Sequence, residues 1–142
     1  MKKGRIVGIG GIFFKTGDVS ALKEWYNKVL KLKTDQWGAP FVSRQFNNPD
    51  KPSFLQWSPF PDNTNYFGDS DQQYMINYRV ENIEDLVENL KSQGVKICDD
   101  IVKYEYGKFI HIEDPAGIRI ELWEPVDEVF ESMYDIEKVN KE

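Results

Sequence analysis

Gly107-Lys108-Phe109-Ile110-His111-Ile112-Glu113-Asp114-Pro115-Ala116-Gly117-Ile118-Arg119-Ile120-Glu121-Leu122 reads as two strands joined by a reverse turn. Asp, Pro and Gly each suit such a turn: Pro presets φ, Gly takes positive φ, and Asp bonds nearby backbone. Strands are therefore expected near Lys108–Ile112 and Ile118–Trp123, with another near Val95–Tyr104. Upstream, Tyr74–Val80 reads as a strand and Ile83–Gln93 as a helix. That helix carries Leu86, Val87 and Leu90 on one face, with Asn82 to start it and Gly94 to stop it.

The first half of the chain has the same order. An apolar strand from Ile6 to Phe14 meets Thr16-Gly17-Asp18, a turn and helix-start signal. Leu22, Trp25, Tyr26, Val29 and Leu30 then recur at helical spacing across Ser20–Leu32. Strands are expected at Phe41–Phe46 and Phe54–Trp57, separated by a turn over Asn47–Pro52, and Ser58–Asp71 reads as a loop. Shifting the sequence by 64 lays Ile12, Phe14, Val19, Leu22 and Tyr26 on Ile76, Tyr78, Ile83, Leu86 and Leu90, and Trp57-Ser58-Pro59 parallels Trp123-Glu124-Pro125. Each half then reads β-α-β-β-β, a duplication.

The 142 residues, 40% hydrophobic and 30% charged, suit one folded domain. A net charge of −6 argues against a nonspecific nucleic-acid binder, which needs surplus Lys and Arg. No apolar run is long enough for a membrane span, and no h-region follows Met1-Lys2-Lys3. The single cysteine, Cys98, fits a reducing cytoplasm and excludes cysteine-based zinc clusters. Asp99 and Asp100 beside it disfavour a thiolate nucleophile. Gly8-Ile9-Gly10-Gly11 lies inside a strand and reads as close backbone approach, not as a phosphate loop.

The Gly107–Leu122 hairpin, with its Asp-Pro-x-Gly turn and Glu-bearing strand, resembles the closing hairpin of the glyoxalase I/bleomycin-resistance/extradiol-dioxygenase superfamily, the vicinal oxygen chelate proteins. The opening unit Ile12–Leu32 resembles that superfamily too, and the likeness runs from Gly8 to about Pro125. It implies an α+β fold in which two βαβββ modules, 5–58 and 73–125, form a cupped mixed sheet with helices outside. It also implies a homodimer and a divalent metal held by the first and last strands of each module. Counted from the turns and the Trp-x-Pro ends, those positions fall on Gly11, Leu55, Met75 and Glu121. Glu121 alone is a ligand-type side chain there, so no metal or other cofactor is expected. His111 and Glu113, sharing a strand face, are the residues that could complete an atypical metal site with Glu121.

Strand alternation assigns Ile12, Phe14, Ile76, Tyr78, Val80, Ile120 and Leu122 to the helix-covered face. The cup face then receives Phe13, Lys15, Leu55, Trp57, Asn77, Arg79, Arg119, Glu121 and Trp123. Charges there either pair with each other or line a wet pocket. Read as a pocket, Arg79 and Lys15 would meet an anion, Asn77 would orient it, and Phe13, Trp57 and Trp123 would flank a ring. Glu121 is the candidate catalytic base or Arg79's ion-pair partner, and Tyr106, beside Gly107, is a candidate lid phenol. The aromatics of Ser58–Gly68 should pack over the cup's edge or on a partner. Residues 126–142, with Val129, Phe130, Met133 and Ile136 at helical spacing, should form an amphipathic tail helix docked on the body or the dimer mate.

The expected function is metal-free binding of a small anionic or aromatic molecule in the cup of a cytoplasmic homodimer. Two alternatives stand beside it. One is a metal-dependent lyase or dioxygenase with an atypical site, and the other is a non-catalytic dimerising module whose charged cup is only a salt-bridge network.

Overall fold

The structure, a computed structural model, describes residues 3–134. Its elements run β1 (Arg5–Thr16), α1 (Val19–Leu30), β2 (Ala39–Gln45), β3 (Asn48–Pro61), β4 (Tyr74–Glu81), α2 (Ile83–Ser92), β5 (Lys96–Ile97), β6 (Val102–Tyr104), β7 (Gly107–Glu113), β8 (Arg119–Pro125) and α3 (Asp127–Met133). The fold is α+β: one eight-stranded mixed sheet in the order β2-β3-β1-β4-β8-β7-β5, with β6 also paired to β7. β1 and β4 meet antiparallel at its centre, and each is flanked by the parallel closing strand of its own half, β3 or β8. No helix among the described residues is long and apolar enough to cross a membrane.

The halves differ at their margins. Between α1 and β2 the chain makes only an isolated bridge, Asp35 to Gly38, so the first half supplies three strands and the second five. The turn expected over Asn47–Pro52 is mostly strand, because β3 begins at Asn48, and β3 then extends through Pro61 into the stretch read as a loop. The strand expected at Val95–Tyr104 is broken into β5 and β6.

Asp18 caps α1, accepting from Ala21 N–H, and Lys31 ends that helix at φ 62°. Asn82 does not cap α2 with its side chain; instead Glu124 on β8 accepts from Ile83 N–H at 3.0 Å. Ile83 and Val87 then bury against Val80, Ile110, Ile112 and Leu122, making the core beneath α2. α1 buries no residue fully and reaches the sheet through Tyr26, whose ring lies 4.7 Å from Trp57. Trp57 also packs on Phe14 at 5.3 Å, so it sits on the helix side of β3 and not in the cup.

Trp57 pairs with Ile12, one residue out of step with the expected cup position. β1 has irregularities between Ile6 and Gly8 and between Ile9 and Gly11, and Gly11 pairs with Gln56 while Asn77 pairs with Glu121. Gln56, not Leu55, is therefore the first-half counterpart of Glu121, and Asn77, not Met75, that of Gly11. The first is a slip of one residue, which exchanges the faces of a strand; the second is a slip of two, which leaves Met75 and Asn77 on one face.

α3 forms the described part of the tail and docks on its own chain. Phe130 stacks on Phe54 at 5.4 Å and meets Trp123 edge-on at 5.3 Å. Ile136 and the rest of the expected tail helix lie outside the described residues.

Candidate functional site

The concave face of the sheet holds a cavity of about 710 Å³. Its floor is polar. Asn77 on β4, Glu121 on β8 and His111 on β7 stand side by side, because Asn77 pairs in register with Glu121 and Glu121 with His111. Glu121 is only 1% exposed. Asn77 Nδ2 donates to its Oε1 at 2.6 Å, the Tyr66 phenol donates to Oε2, and His111 Nε2 lies 2.8 Å from Oε2.

Behind His111, Nδ1 lies 2.6 Å from Asp99 Oδ2, while Asp99 Oδ1 accepts from the His111 backbone N–H at 2.7 Å. Each ring nitrogen thus faces a carboxylate, a setting that calls for two N–H donors, that is, imidazolium. Burial opposes that charge, but hydrogen bonding and attraction from Glu121 and Asp99 outweigh it and hold the His111 pKa above its ordinary value. For Tyr66, burial and then the adjacent Glu121 charge push the phenol far up, so it stays a neutral donor.

A pH dependence follows. His111 binds its proton more tightly folded than unfolded, so its contribution is complete below the unfolded value of about 6.5. It is lost as pH rises through the higher folded value. Urea unfolding at a series of pH values should show stability falling across that window, and His111→Gln should remove the step. An unchanged step in that variant would assign it to other groups.

The walls are aromatic. Phe109 and Trp123 stack face to face at 5.7 Å, Tyr104 and Tyr106 do the same at 5.2 Å, and Phe60 stacks on Tyr66 at 5.5 Å. All six line the cavity, joined by Phe13 and by Phe130, Met133 and Tyr134 from the tail. Tyr134 leans toward Asp35, and burial together with that carboxylate raises its phenol to about 12.

Of the residues singled out in the sequence, Phe13, Asn77, Tyr106, Glu121 and Trp123 come together around this cavity. Three do not. Trp57 lies on the opposite face, under α1. The Lys15 ammonium sits over the Phe67 ring at 5.6 Å, outside the lining. Arg79 is buried beneath the start of α3, where its Nη2 meets Asp127 at 2.7 and 2.9 Å and its Nη1 donates to the Phe54 carbonyl at 3.1 Å. Arg79 therefore pairs with Asp127, not with Glu121. Arg119 turns toward Asp99 at 3.6 Å, and Glu113 pairs with Lys96 at 2.9 Å, away from His111.

Sequence reasoning missed Gln56, Tyr66 and Asp99 as lining residues. The aromatic density of Ser58–Gly68 was the signal for Tyr66, and Phe67 within it is completely buried, anchoring the segment.

The positions from which two such modules would hold a divalent metal are here Gly11, Gln56, Asn77 and Glu121. One has no side chain and two are neutral amides. Both Glu121 oxygens are engaged by neighbours, and both His111 nitrogens face carboxylates. Among the described residues no group of three or more His, Cys, Asp or Glu is disposed around a common centre. This donor set does not fit a divalent cation as arranged.

The family model for the Glyoxalase/Bleomycin resistance protein/Dioxygenase superfamily matches residues 8–122. The chain belongs to that superfamily. Among solved structures it is similar to methylmalonyl-CoA epimerase from Mycobacterium tuberculosis, with TM-score 0.59 and 15% identity over 89% of this chain and 93% of that one. A variant of the Streptomyces coelicolor methylmalonyl-CoA epimerase, in complex with 2-nitronate-propionyl-CoA, gives 0.62 and 13% over 86% and 96%. The Mn(II)-bound glyoxalase from Novosphingobium aromaticivorans gives 0.55 and 16%, over 85% of this chain and 40% of that one. At such identities the likeness is one of fold. No curated protein matches the sequence.

Proposed function

We propose that this superfamily member binds a small, flat aromatic molecule in its cup and does so without a divalent metal. The observation that carries the reading is the cavity itself: paired aromatic rings over a fully buried carboxylate whose oxygens are already engaged. Flat walls suit a ring through stacking, and a few fixed polar groups orient it. An anionic group on the ligand loses its main support, since Arg79 is closed off by Asp127 and the charged lining residues are Asp99, Glu121 and His111. Within this reading Glu121 is the group placed to exchange a proton with the ligand, with His111 and Asp99 hydrogen-bonded behind it. Assembly as a homodimer is part of the proposal, supported by half-exposed Ile6, Val7 and Ile9 on β1 and Trp25, Val29 and Leu30 on α1. A cytoplasmic location rests on the lone free Cys98.

Native mass spectrometry of untagged protein, purified without chelator and incubated with Ni, Zn, Mn and Fe(II), tests metal and assembly together. A dimer without stoichiometric metal is expected. One tightly held ion per cup would overturn the metal-free reading and call for glyoxalase and dioxygenase assays.

A further inference from the structure

Several hydrogen-bond donors around the cup are already spent on the protein. Ser58 Oγ donates to the Trp37 carbonyl at 2.6 Å, Asn77 Nδ2 and the Tyr66 phenol donate to Glu121, and Trp123 Nε1–H donates to the Tyr106 carbonyl. Both His111 ring nitrogens face carboxylates. An acceptor on a ligand finds no free proton among these five.

Tyr104 and Tyr106 differ. Both line the cavity with solvent-accessible side chains, and neither phenol oxygen hydrogen-bonds to a protein group among the described residues. Their rings are nonetheless held in place. They stack on each other at 5.2 Å with planes 7° apart, and each meets Phe109 edge-on, at 5.9 and 5.6 Å. The backbone is held too: Tyr104 pairs with Gly107 across a two-residue turn, and the Tyr106 carbonyl accepts from the Trp123 indole and from Val126 N–H. These phenols share the site with the floor. Burial, then Tyr104, then Glu121 hold the Tyr106 phenol above its ordinary value, so it keeps its proton to donate. On the Tyr66 phenol, too, both tyrosines act in the same direction after burial and Glu121.

We infer that Tyr104 and Tyr106 together form the donor subsite of the cup and receive a neutral carbonyl oxygen carried on the aromatic ligand. The inference rests on the aromatic-cup reading above and names the ligand class for it, an aryl carbonyl compound. One carbonyl oxygen has two lone pairs and can accept from both phenols. Stacking fixes the rings before the ligand arrives, so little side-chain freedom is lost on binding. A carboxylate would also accept, but it brings a second negative charge into a cup whose floor is the buried Glu121.

The test uses 2-acetonaphthone, its isostere 2-isopropenylnaphthalene, in which a methylene replaces the carbonyl oxygen, and 2-naphthoate. The hydrocarbon leaves water more readily whatever the protein offers, so the ratio of the two dissociation constants is compared between proteins. The double replacement Tyr104→Phe with Tyr106→Phe keeps both rings and removes only the hydroxyls. By calorimetric titration, the Kd of the ketone relative to that of the hydrocarbon should rise about tenfold from wild type to the double variant, the size of two ordinary hydrogen bonds. Each single replacement should give a smaller change in the same direction. The carbonyl stretching frequency of bound 2-acetonaphthone should be lower in wild type than in the double variant, a readout that a change of stability alone does not move. Saturable binding of both probes with an unchanged ratio would overturn the donor subsite and leave the aromatic cup standing. A larger loss for naphthoate than for the ketone would overturn it in favour of an anion site. No saturable binding of any of the three would overturn the aromatic cup as well.

Discussion

Replacing Arg79 with alanine is expected to cost about 3–5 kcal/mol of folding stability, the range for stripping one partner from a buried ion pair. The side chains of Arg79 and Asp127 are only 7% and 12% exposed. Arg79 also donates to the Phe54 carbonyl, and its guanidinium lies 5.5 Å from the Trp123 ring. Gln45 adds a further bond to Asp127 at 2.9 Å. Removing the guanidinium leaves a carboxylate and a carbonyl in a space where water is scarce, and it frees the start of α3. The same reasoning says what should repair the damage. The double replacement Arg79→Met with Asp127→Leu should recover most of the loss, because two apolar side chains carry no desolvation cost. Urea unfolding of the two variants decides the matter. If Arg79→Ala unfolds at the wild-type midpoint while ligand binding collapses, Arg79 belongs to the pocket after all.

This case marks the limit of what could be read before the fold was known. That Arg79 faces the cup side followed from alternation along β4, which has the same parity as Asn77. Its partner could not follow, because Asp127 lies in a tail whose docking site is set by Phe130 stacking on Phe54. On β8 the alternation of Arg119, Glu121 and Trp123 against Ile120 and Leu122 was legible, with Leu122 in the core and Glu121 on the floor. On β3 it failed by one residue. Matching Trp57-Ser58-Pro59 to Trp123-Glu124-Pro125 looked persuasive, yet Trp57 pairs with Ile12 whereas Trp123 pairs with Arg79. β1 and β3 pair without irregularity from Gly11 to Thr16, so the two Trp-x-Pro ends are themselves one residue out of step, and a shift of one exchanges faces. The cost was Gln56 read as Leu55, and Trp57 placed in a cup it does not enter. His111 is legible in the sequence only as a residue that could complete a metal site with Glu113 and Glu121. Its meaning comes from Asp99, a short segment away, and from Glu121, its cross-strand neighbour.

Trp123→Ala is the second large effect, and it separates packing from binding at one side chain. Trp123 is buried, stacked parallel on Phe109, met edge-on by Phe130, and its Nε1–H donates to the Tyr106 carbonyl at 3.0 Å. The backbone is shaped around it. Gly107 sits at φ 138°, and a Cβ there would lie 2.4 Å from the indole nitrogen. Truncation should cost about 3–5 kcal/mol, the usual range for a large aromatic deleted from a packed site. It should also remove the flat wall that a ring would use, raising the Kd for 2-methoxynaphthalene about tenfold or more. Trp123→Phe distinguishes the two roles. Phenylalanine keeps a ring to stack on Phe109 but not the Nε1–H, so affinity for the ether should stay within a few-fold while part of the stability loss remains. Were the phenylalanine variant to bind as poorly as the alanine variant at comparable stability, the indole would matter as a hydrogen-bond donor that positions Tyr106, and not as a wall.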